Sequence, residues 1–394
     1  MDLIDLFRYD YKERDCFRTR FFWKSFIIKF REPMQEKIRL GVLFGGQSAE
    51  HEVSIRSAKS VIEQLDHNKY DVFPIGIDKK GSWHFLKAEP FLLGLKNNFL
   101  PTFKKNDPHF PLLLQKVPAR EIFFSPCILK RSLDVIFPVL HGPFGEDGTV
   151  QGLVELANLP YVGPDHLSSA ICMDKGIMKE ILKSSSLPTP DYKILHHNDA
   201  IDEQAIVQAL NLPLFVKPSQ MGSSVGISKV HTQEELLPAI REAFKYDERI
   251  LIEEFIDGRE IECSVLGNET PEASLPGEII PTHEFYSYEA KYQDKNGAHF
   301  VIPAKLDVQK IKELRRLAIQ AFRALRCEGM ARVDFFLKKE GTLLINELNT
   351  IPGFTSISLY PKLWEASGIP YSQLIDRLIE LSIERHKRKK SFRK

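Results

Sequence analysis

Two strand-forming segments near the carboxyl end of the chain restrict its fold more than any other feature. The first spans residues 329–337, the second spans 342–349, and the polar residues 339–341 lie between them. Strands joined by so short a connection predict an antiparallel β-hairpin. We expect Glu340 and Gly341 to form a two-residue turn, which fixes the partner of every other residue in the hairpin.

This register brings carboxylates together on one face of the hairpin. Asp334 is expected opposite Glu347. Arg332 is expected opposite Asn349 on the same face, because side chains repeat every second residue along a strand. Two carboxylates about 5 Å apart destabilise a hairpin unless a cation lies between them, and oxygen ligands favour Mg²⁺ or Mn²⁺ over zinc. A surface ladder of ion pairs is the alternative, since a one-residue bulge would break the alignment.

The composition excludes several classes of protein. Lys and Arg number 54 against 53 Asp and Glu, so the net charge of +1 provides no general field that attracts nucleic acid. The cysteines number 5 and never form a CxxC pair, which argues against a disulfide framework or zinc site and favours a cytoplasmic protein. The aromatic run at 21–30 is interrupted by lysines and is shorter than the about 20 apolar residues that span a membrane.

A length of 394 residues predicts two or three domains of about 100 to 200 residues each. We expect a poorly ordered extension over 1–36, an N-terminal α/β substrate-binding domain over 37–163, a central lobe over 164–252, a C-terminal metal-binding lobe over 253–386, and a solvated basic tail over 387–394. An over-long gene start over residues 1–33 and a weak amphipathic surface anchor are the alternatives for the extension. A nucleic-acid-binding arm is the alternative for the tail.

Alternating strand and helix patterns predict a mostly parallel sheet in the N-terminal domain. The apolar run 38–44 ends at Gly45-Gly46, where a helix begins, and strands follow at 72–77 and 134–140. The Pro- and Phe-rich stretch 99–126 predicts an irregular insertion. Further along, we expect a helix at 168–183, strands at 214–218, 226–230, 250–254, 260–266 and 277–282, a polar loop over 283–301, and a closing helix over 371–386.

Residues 216–226 form a glycine- and serine-rich loop after a predicted strand. Its glycines let backbone amides approach an anion, and Lys217 supplies the charge that a phosphate needs. The pattern is neither a P-loop nor a spaced GxGxxG, so a flexible linker is the alternative. The acidic residues Glu253, Glu254 and Glu260 follow. They could bond an adenine and a ribose, or they could be acids of an exposed edge strand.

Two more glycine-rich loops follow strands of the N-terminal domain. In the first, Ser48 and Glu50 occupy the positions of a helix N-cap and of a carboxylate that complements the helix dipole. Alternatively, Glu50 points into a cleft and pairs with a substrate ammonium. The second loop begins at His141. Because both loops lie at the carboxyl ends of parallel strands, they predict one ligand crevice.

The motifs of residues 38–383 together resemble those of the D-alanine–D-alanine ligases of the ATP-grasp superfamily. The segments that carry the resemblance are, in family order, GGQSAEHEVS at 45–54, HGPFGEDGTVQG at 141–152, MDK at 173–175, VKPS and GSSVG within 216–226, EAKY at 289–292, ARVD at 331–334, and NELNTIPGFTSISL at 346–359. The resemblance implies an α/β, three-domain ATP-grasp architecture with the ATP site between two α+β lobes.

The resemblance also implies roles for individual residues. The nucleotide would be held by Lys175, Lys217, Ser224, Glu253, Glu254, Ile256, Glu260 and Lys291, with the adenine against backbone groups of Glu253 and Ile256 and the ribose at Glu260. The metal ligands would be Asp334, Glu347 and Asn349, in agreement with the hairpin register.

For the substrates, Glu50 would bind the ammonium of the first D-alanine, linked by hydrogen bonds to Ser223 and Tyr292, with His141 lining the site. Ser358 and Leu359 would receive the carboxylate of the second D-alanine. Arg332 and the backbone N–H of Gly353 would stabilise the developing oxyanion.

The implied reaction forms D-alanyl-D-alanine from two D-alanines and ATP through an acylphosphate, for peptidoglycan precursors. The implied partners are ATP, D-alanine and Mg²⁺ or Mn²⁺, in a cytoplasmic homodimer that binds neither nucleic acid nor membrane. The loop 283–301 would close over the site. The alternatives are a D-alanine–D-lactate ligase, which the EAKY segment disfavours, another ATP-grasp carboxylate–amine ligase, and a non-catalytic nucleotide-binding regulator.

Overall fold

A computed structural model describes residues 36–86, 94, 133–282 and 297–392. This part of the chain contains three β-sheets flanked by helices, which confirms the predicted α/β class. Within these ranges, no helix combines the length and apolar character needed to cross a bilayer. Residues 1–35 and the predicted insertion 99–126 lie outside the described residues.

The first sheet comes from the N-terminal half. Its strands are β1 (Ile38–Gly45), β2 (Tyr70–Ile77), β3 (Trp83–Phe85) and β4 (Val135–Pro138), in the order β3-β2-β1-β4. β1 pairs in parallel with both β2 and β4, as the sequence predicted, whereas β3 adds an antiparallel edge. Helices α1 (His51–Gln64) and α2 (Thr149–Leu156) follow β1 and β4. The loops after β1 and β4 therefore open at the same edge of the sheet.

The central sheet is antiparallel. Its strands are β5 (Tyr192–His196), β6 (Leu214–Pro218), β7 (Ser228–Val230) and β8 (Arg249–Glu254), in the order β5-β8-β6-β7. Helices α5 (Glu203–Leu210) and α6 (Gln233–Ala243) pack on this sheet, whereas α3 (His166–Met173) and α4 (Lys175–Ser184) contribute their buried apolar residues to the core of the third sheet. The single helix predicted at 168–183 is thus wrong: Asp174 leaves the helical conformation and caps α4 by accepting a hydrogen bond from Ile177 N. Lys175 becomes the first residue of α4.

The third sheet is also antiparallel. Its strands are β9 (Gly258–Gly267), β10 (Glu272–Ala273), β11 (Gly277–Pro281), β12 (Ala298–Val301), β13 (Gly329–Lys338) and β14 (Leu343–Asn349). Their order is β12-β11-β9-β13-β14, with β10 beside β9, and helix α7 (Val308–Ala324) packs on this sheet. The end of the predicted loop 283–301 is instead strand β12, paired with β11. Residues 283–296 lie outside the described part.

The β13–β14 hairpin contains the predicted cross-strand pairs, but its turn differs from the predicted one. Its turn is not Glu340-Gly341, because Lys338 N donates to Thr342 O at 2.9 Å and Gly341 N donates to Lys338 O at 2.9 Å. All of residues 339–341 form the connection, with Gly341 at φ 92°. That turn alone would place Asp334 opposite Asn346. The register shifts between Asp334 and Phe335, however, and restores the pairing of Asp334 with Glu347.

The chain closes with helices α8 (Leu359–Ala366) and α9 (Tyr371–Phe392). α9 continues past the predicted end at His386, and its residues Leu374 and Leu378 share one core with Leu40 of β1. Arg388 pairs with Glu328, and Lys389 Nζ donates to Asp165 Oδ2 at 2.8 Å. Residues 387–392 are therefore helical, with Arg388 and Lys389 half-buried, whereas the other four residues are exposed, as expected of a solvated tail on a helix. The other domain boundaries stay predictions.

Candidate active site

Helix α4 directs two lysines toward acidic groups. Lys175 Nζ donates to the Met221 carbonyl oxygen at 2.6 Å and lies 4.0 Å from Glu347 Oε2. Lys179 is buried and pairs with Glu253. Residues four apart share one face of a helix, so both side chains point to the same side. The sequence analysis missed Lys179, although its spacing from Lys175 was the signal that could have revealed it.

Glu253 binds two cations in the interior. Its Oε2 accepts a hydrogen bond from Lys217 Nζ at 2.5 Å, and its Oε1 pairs with Lys179. The Glu253 side chain is 1% exposed, against 11% for Lys217. Burial alone would raise the pKa of Glu253, but the two ammonium groups outweigh it and lower that pKa to about 2. Glu253 is therefore an ionised partner of both lysines, with its side chain turned toward them.

The predicted metal-binding face of the hairpin is organised by one guanidinium group. Arg332 donates from Nε and Nη2 to the two carboxylate oxygens of Asp334, both at 2.7 Å, and its Nε lies 2.9 Å from Glu262 Oε2. Asn349 donates from Nδ2 to Asp334 Oδ2 at 2.9 Å. Burial opposes the charge on Arg332, but the carboxylates of Asp334 and Glu262 outweigh it and raise its pKa. Arg332 is thus charged and held in a fixed orientation.

The same face offers oxygen ligands that fit a hard divalent cation. Asp334 and Glu347 are direct cross-strand partners, and their side chains are 14% and 29% exposed. A cation between them would remove the repulsion of their charges. Across the described ranges, no cluster of three or more His, Cys, Asp or Glu residues could hold a metal. The Asn349 amide and oxygens from water or phosphate would therefore complete the ligand set.

Glu50 and His141 lie together where β1 and β4 end. Ser48 Oγ donates to the His141 carbonyl oxygen at 2.6 Å and accepts from Glu50 N at 3.2 Å. The N-cap residue of α1 is Glu50 rather than the predicted Ser48, and the Glu50 side chain makes no capping hydrogen bond. A Cβ added at Gly142 would lie only 3.1 Å from Glu50 Oε2. The two glycine-rich loops therefore meet in one place, as predicted.

Residue Glu146, in the second of these loops, joins the first sheet to the serine-rich loop. A Cβ added at Gly222 would lie 3.5 Å from Glu50 Oε2 and 3.6 Å from Glu146 Oε1. Gly142 N donates to Glu146 Oε1 at 3.0 Å. Burial and the Glu50 charge raise the pKa of Glu146 to about 8. The sequence analysis gave Glu146 no role; a second acid in the motif that follows β4 was the available signal.

Gly353 and Ser358 form a tight turn before α8. Ser358 Oγ accepts from Thr355 N at 3.0 Å, and a Cβ added at Gly353 would lie 2.6 Å from that oxygen. A side chain at position 353 would therefore displace the Ser358 hydroxyl. His141 Nδ1 lies 3.1 Å from the Ile351 carbonyl oxygen, which connects this segment to the Glu50 region. Leu359, the first residue of α8, is buried.

The serine-rich loop has an unusual backbone. Ser223 and Ser224 have φ values of 51° and 60°, in a region that non-glycine residues rarely occupy. Such conformations concentrate at functional sites. Lys291 and Tyr292 lie outside the described residues, so the hydrogen-bonded link from Tyr292 to Glu50 stays a prediction.

The remaining nucleotide candidates lie on or beside strands β8 and β9. Glu254 Oε1 accepts a hydrogen bond from Asp191 N at 2.9 Å, so this carboxylate joins the start of β5 to the end of β8. Ile256, in the short segment that connects β8 to β9, is buried. Glu260 lies on β9 opposite Phe336 of β13. Their contacts with a nucleotide stay predictions.

Comparisons with known proteins agree over most of the chain. A family model described as the D-ala D-ala ligase N-terminus matches residues 39–164, and one described as the D-ala D-ala ligase C-terminus matches 181–380. The chain is 50% identical over 361 residues to a D-alanine–D-alanine ligase of Thermoanaerobacter sp. (strain X514), covering 90% of this chain and 99% of that relative. It is 46% identical over 359 residues to D-alanine–D-alanine ligase A of Escherichia coli (strain K12), covering 89% and 97%.

Two solved structures share the fold. The D-alanine–D-alanine ligase from Coxiella burnetii is 42% identical, with a TM-score of 0.77 and coverage of 91% of this chain and 97% of that chain. The VanG D-Ala:D-Ser ligase from Enterococcus faecalis is 36% identical, with a TM-score of 0.74 and coverage of 88% and 100%.

The chain combines a mostly parallel α/β sheet with two antiparallel sheets, and Lys175 of α4 faces Glu347 of the third sheet. This is the architecture of ATP-grasp ligases, which these neighbours share. Because both halves match their family models, the chain belongs to the D-alanine–D-alanine ligase family. This confirms the predicted resemblance and fold. The family comprises ATP-dependent, ADP-forming ligases that use a divalent metal.

Proposed function

We propose that this chain joins two D-alanine molecules into D-alanyl-D-alanine, with ATP converted to ADP and phosphate, for peptidoglycan precursor synthesis. The observation that carries the proposal is the 4.0 Å approach of Lys175 Nζ to Glu347 Oε2. Lys175, one of the predicted phosphate-binding lysines, thus lies beside a residue of the predicted metal-binding face. The relatives at 46% and 50% identity support the same reaction.

In the first step, a carboxylate oxygen of one D-alanine attacks the γ-phosphorus of ATP, the bond from that phosphorus to the bridging oxygen breaks, and ADP leaves. Nucleophile and phosphates are both anionic, so positive charge must offset their repulsion. Lys175 and Lys217 would supply it, together with Lys291. Glu50 would pair with the substrate ammonium and fix its carboxylate toward the phosphate, with His141 behind it.

In the second step, the amine of the other D-alanine attacks the acylphosphate carbonyl. Negative charge develops on the carbonyl oxygen before phosphate leaves, and Arg332 and the Gly353 N–H would stabilise it. Arg332 is suited to this role because Asp334 and Glu262 hold its guanidinium in place. Ser358 and Leu359 would position the second carboxylate.

We assign the divalent cation to Asp334, Glu347 and Asn349, with Mg²⁺ or Mn²⁺ as the ion. When bound, it would neutralise phosphate oxygens of ATP. Oxygen ligands without His or Cys support a hard ion over zinc. The ion specificity can be measured by titrating each metal into the metal-free protein while following ADP formation.

We further propose a homodimer in the cytoplasm. The family resemblance supports the dimer, which light scattering of the purified chain would test. Three cysteines of the described region, Cys172, Cys263 and Cys327, are free and buried, which supports a reducing compartment.

A second candidate is ligation of D-alanine to D-serine. The observation that favours it is the structural similarity to the VanG D-Ala:D-Ser ligase. The higher identity to D-alanine–D-alanine ligases favours D-alanine, and the sequence motif EAKY disfavours D-lactate.

The deciding experiment measures ADP release with Mg²⁺ and ATP in the presence of D-alanine, L-alanine, and D-alanine mixed with D-serine or D-lactate, and identifies the product by mass. Rapid ADP formation with D-alanine alone, yielding the dipeptide, supports the proposal. A mixed product formed in preference to the D-alanine dipeptide would assign the second candidate. ATP binding without ADP formation would contradict any ligase activity.

A further inference from the structure

Lys179 is a buried lysine that the proposed reaction does not use. Its side chain is 1% exposed, and its charge lies beside that of Lys217, because both ammonium groups bind Glu253. A buried lysine is costly unless a partner compensates its charge. Glu253 therefore compensates the charge of Lys179 in addition to that of Lys217.

The contacts divide one carboxylate between two lysines of different exposure. Lys179 approaches Glu253 Oε1 from helix α4, and Lys217 binds Oε2 at 2.5 Å from strand β6. The Lys179 ammonium lies 6.0 Å from the centroid of the Tyr192 ring, on the strand beside Glu253. It is enclosed on these sides, whereas Lys217 retains an 11% exposed side chain. Of the two lysines, Lys217 is the one that can reach a bound ligand.

We infer that Lys179 is a positioning residue that stays paired with Glu253 and so lets Lys217 exchange this carboxylate for a nucleotide phosphate. This inference rests on the proposed function, since it assigns Lys217 to the phosphates. Two lysines and one carboxylate leave one excess positive charge in the group. Without Lys179, Glu253 and Lys217 form a neutral pair, and Lys217 must give up the ion pair with Glu253 before it can bind phosphate.

The variant Lys179→Met tests the inference, because it keeps an unbranched buried side chain and removes the charge. We expect the variant to bind ADP about tenfold more weakly than the wild type, which corresponds to the loss of one charge-assisted contact. Titration calorimetry with Mg²⁺ and without D-alanine measures this affinity. In turnover assays, KM for ATP should rise by the same factor. The kcat value at saturating ATP and KM for D-alanine should stay within about twofold, a split that general loss of structure would not produce.

Two further variants sharpen the test. Lys183→Met, one turn along α4, removes an exposed lysine that does not pair with Glu253, and it should leave the affinity for ADP unchanged. The double variant Lys179→Met with Glu253→Gln frees Lys217 from any anionic partner. It should bind ADP within about threefold of the wild type, because the excess charge is restored. The double variant also serves if the single one does not fold.

Unchanged ADP affinity in Lys179→Met, or a double variant as weak as the single one, would overturn the inference. Suppose that the wild type forms no dipeptide but binds ADP, and that the variants differ from it in ADP affinity as described. The proposed reaction then fails, and the role of Lys179 stands. If the wild type does not bind ADP, both fail.

Discussion

Asp334 and Glu347 face each other across the β13–β14 hairpin because two irregularities cancel. The connection 339–341 is one residue longer than a two-residue turn, and a bulge next to Asp334 adds one residue to the opposite strand. The longer connection alone would place Asn346, whose amide is uncharged, opposite Asp334. The bulge alone would move the Glu347 carboxylate to the other face of the hairpin. The pairing of these two acids is thus specified by the bulge as well as by the turn.

Glu347→Gln tests the metal assignment. Removing one of the two facing carboxylates should lower turnover by about 100-fold and raise the Mg²⁺ concentration needed for half-maximal rate, because the neutral amide binds a divalent ion more weakly. The measurement is ADP release against Mg²⁺ concentration. Glu340→Gln, at an exposed position of the turn, is the matched control. An unaltered Mg²⁺ dependence in Glu347→Gln would refute the assignment.

Lys217→Ala tests the phosphate assignment. We expect turnover to fall by at least about 100-fold, since a positive charge at the start of the serine-rich loop is missing when the phosphoryl group is transferred. Steady-state ADP release measures the effect. Lys245→Ala, at an exposed lysine paired with nearby Glu242, provides the comparison and should retain full activity. Equal rates for the two variants would remove Lys217 from the mechanism.

The raised pKa of Glu146 predicts a pH-dependent stability. Burial and the Glu50 charge raise this pKa from 4.5 to about 8. Between these values the folded chain keeps a proton that the unfolded chain loses, so stability falls as pH rises through this window. Glu146→Gln, which cannot ionise, should therefore gain in Tm over the wild type at a pH above 8 and lose that gain near pH 4.5.

Calorimetric unfolding of the ligand-free proteins at both pH values measures this difference. Glu248→Gln, at an exposed acid, should show no such trend. A difference in Tm between Glu146→Gln and the wild type that does not change with pH would contradict the prediction.

Arg385 links helix α9 to the segment that leaves the first sheet. Its guanidinium donates to the carbonyl oxygens of Gly163 and Tyr161, the latter at 2.7 Å, and it is 3% exposed. Arg385→Met leaves both buried carbonyls without this donor and should lower the free energy of unfolding by about 2 to 4 kcal/mol. Lys387→Met, on the exposed side of the same helix, should change it by less than about 0.5 kcal/mol.

Denaturant unfolding monitored by circular dichroism compares the two variants. If Arg385→Met were as stable as Lys387→Met, α9 would contribute to the fold only through its apolar face.

The sequence alone was sufficient for those features that depend on local pattern. The hairpin, the parallel pairing of β1, and the glycines at the ends of β1 and β4 follow from side-chain periodicity and from backbone freedom at Gly45 and Gly142. The combination of motifs identified the family, because each motif requires particular residues at fixed spacing. Alternation along a strand is a local rule that assigned the hairpin carboxylates to their faces, but the pairing of Asp334 with Glu347 also needed a bulge that this rule does not predict.

The tertiary structure decided what depends on residues far apart in the chain. The burial of Lys179 on helix α4 is set by Glu253 on strand β8, and within the helical basic run after Glu384, Arg388 and Lys389 find counter-charges at Glu328 and Asp165. No local sequence pattern identifies such partners. The sequence gives the charge of a side chain, but its burial and its ion-pair partner are set only when segments distant in the chain pack together and exclude water.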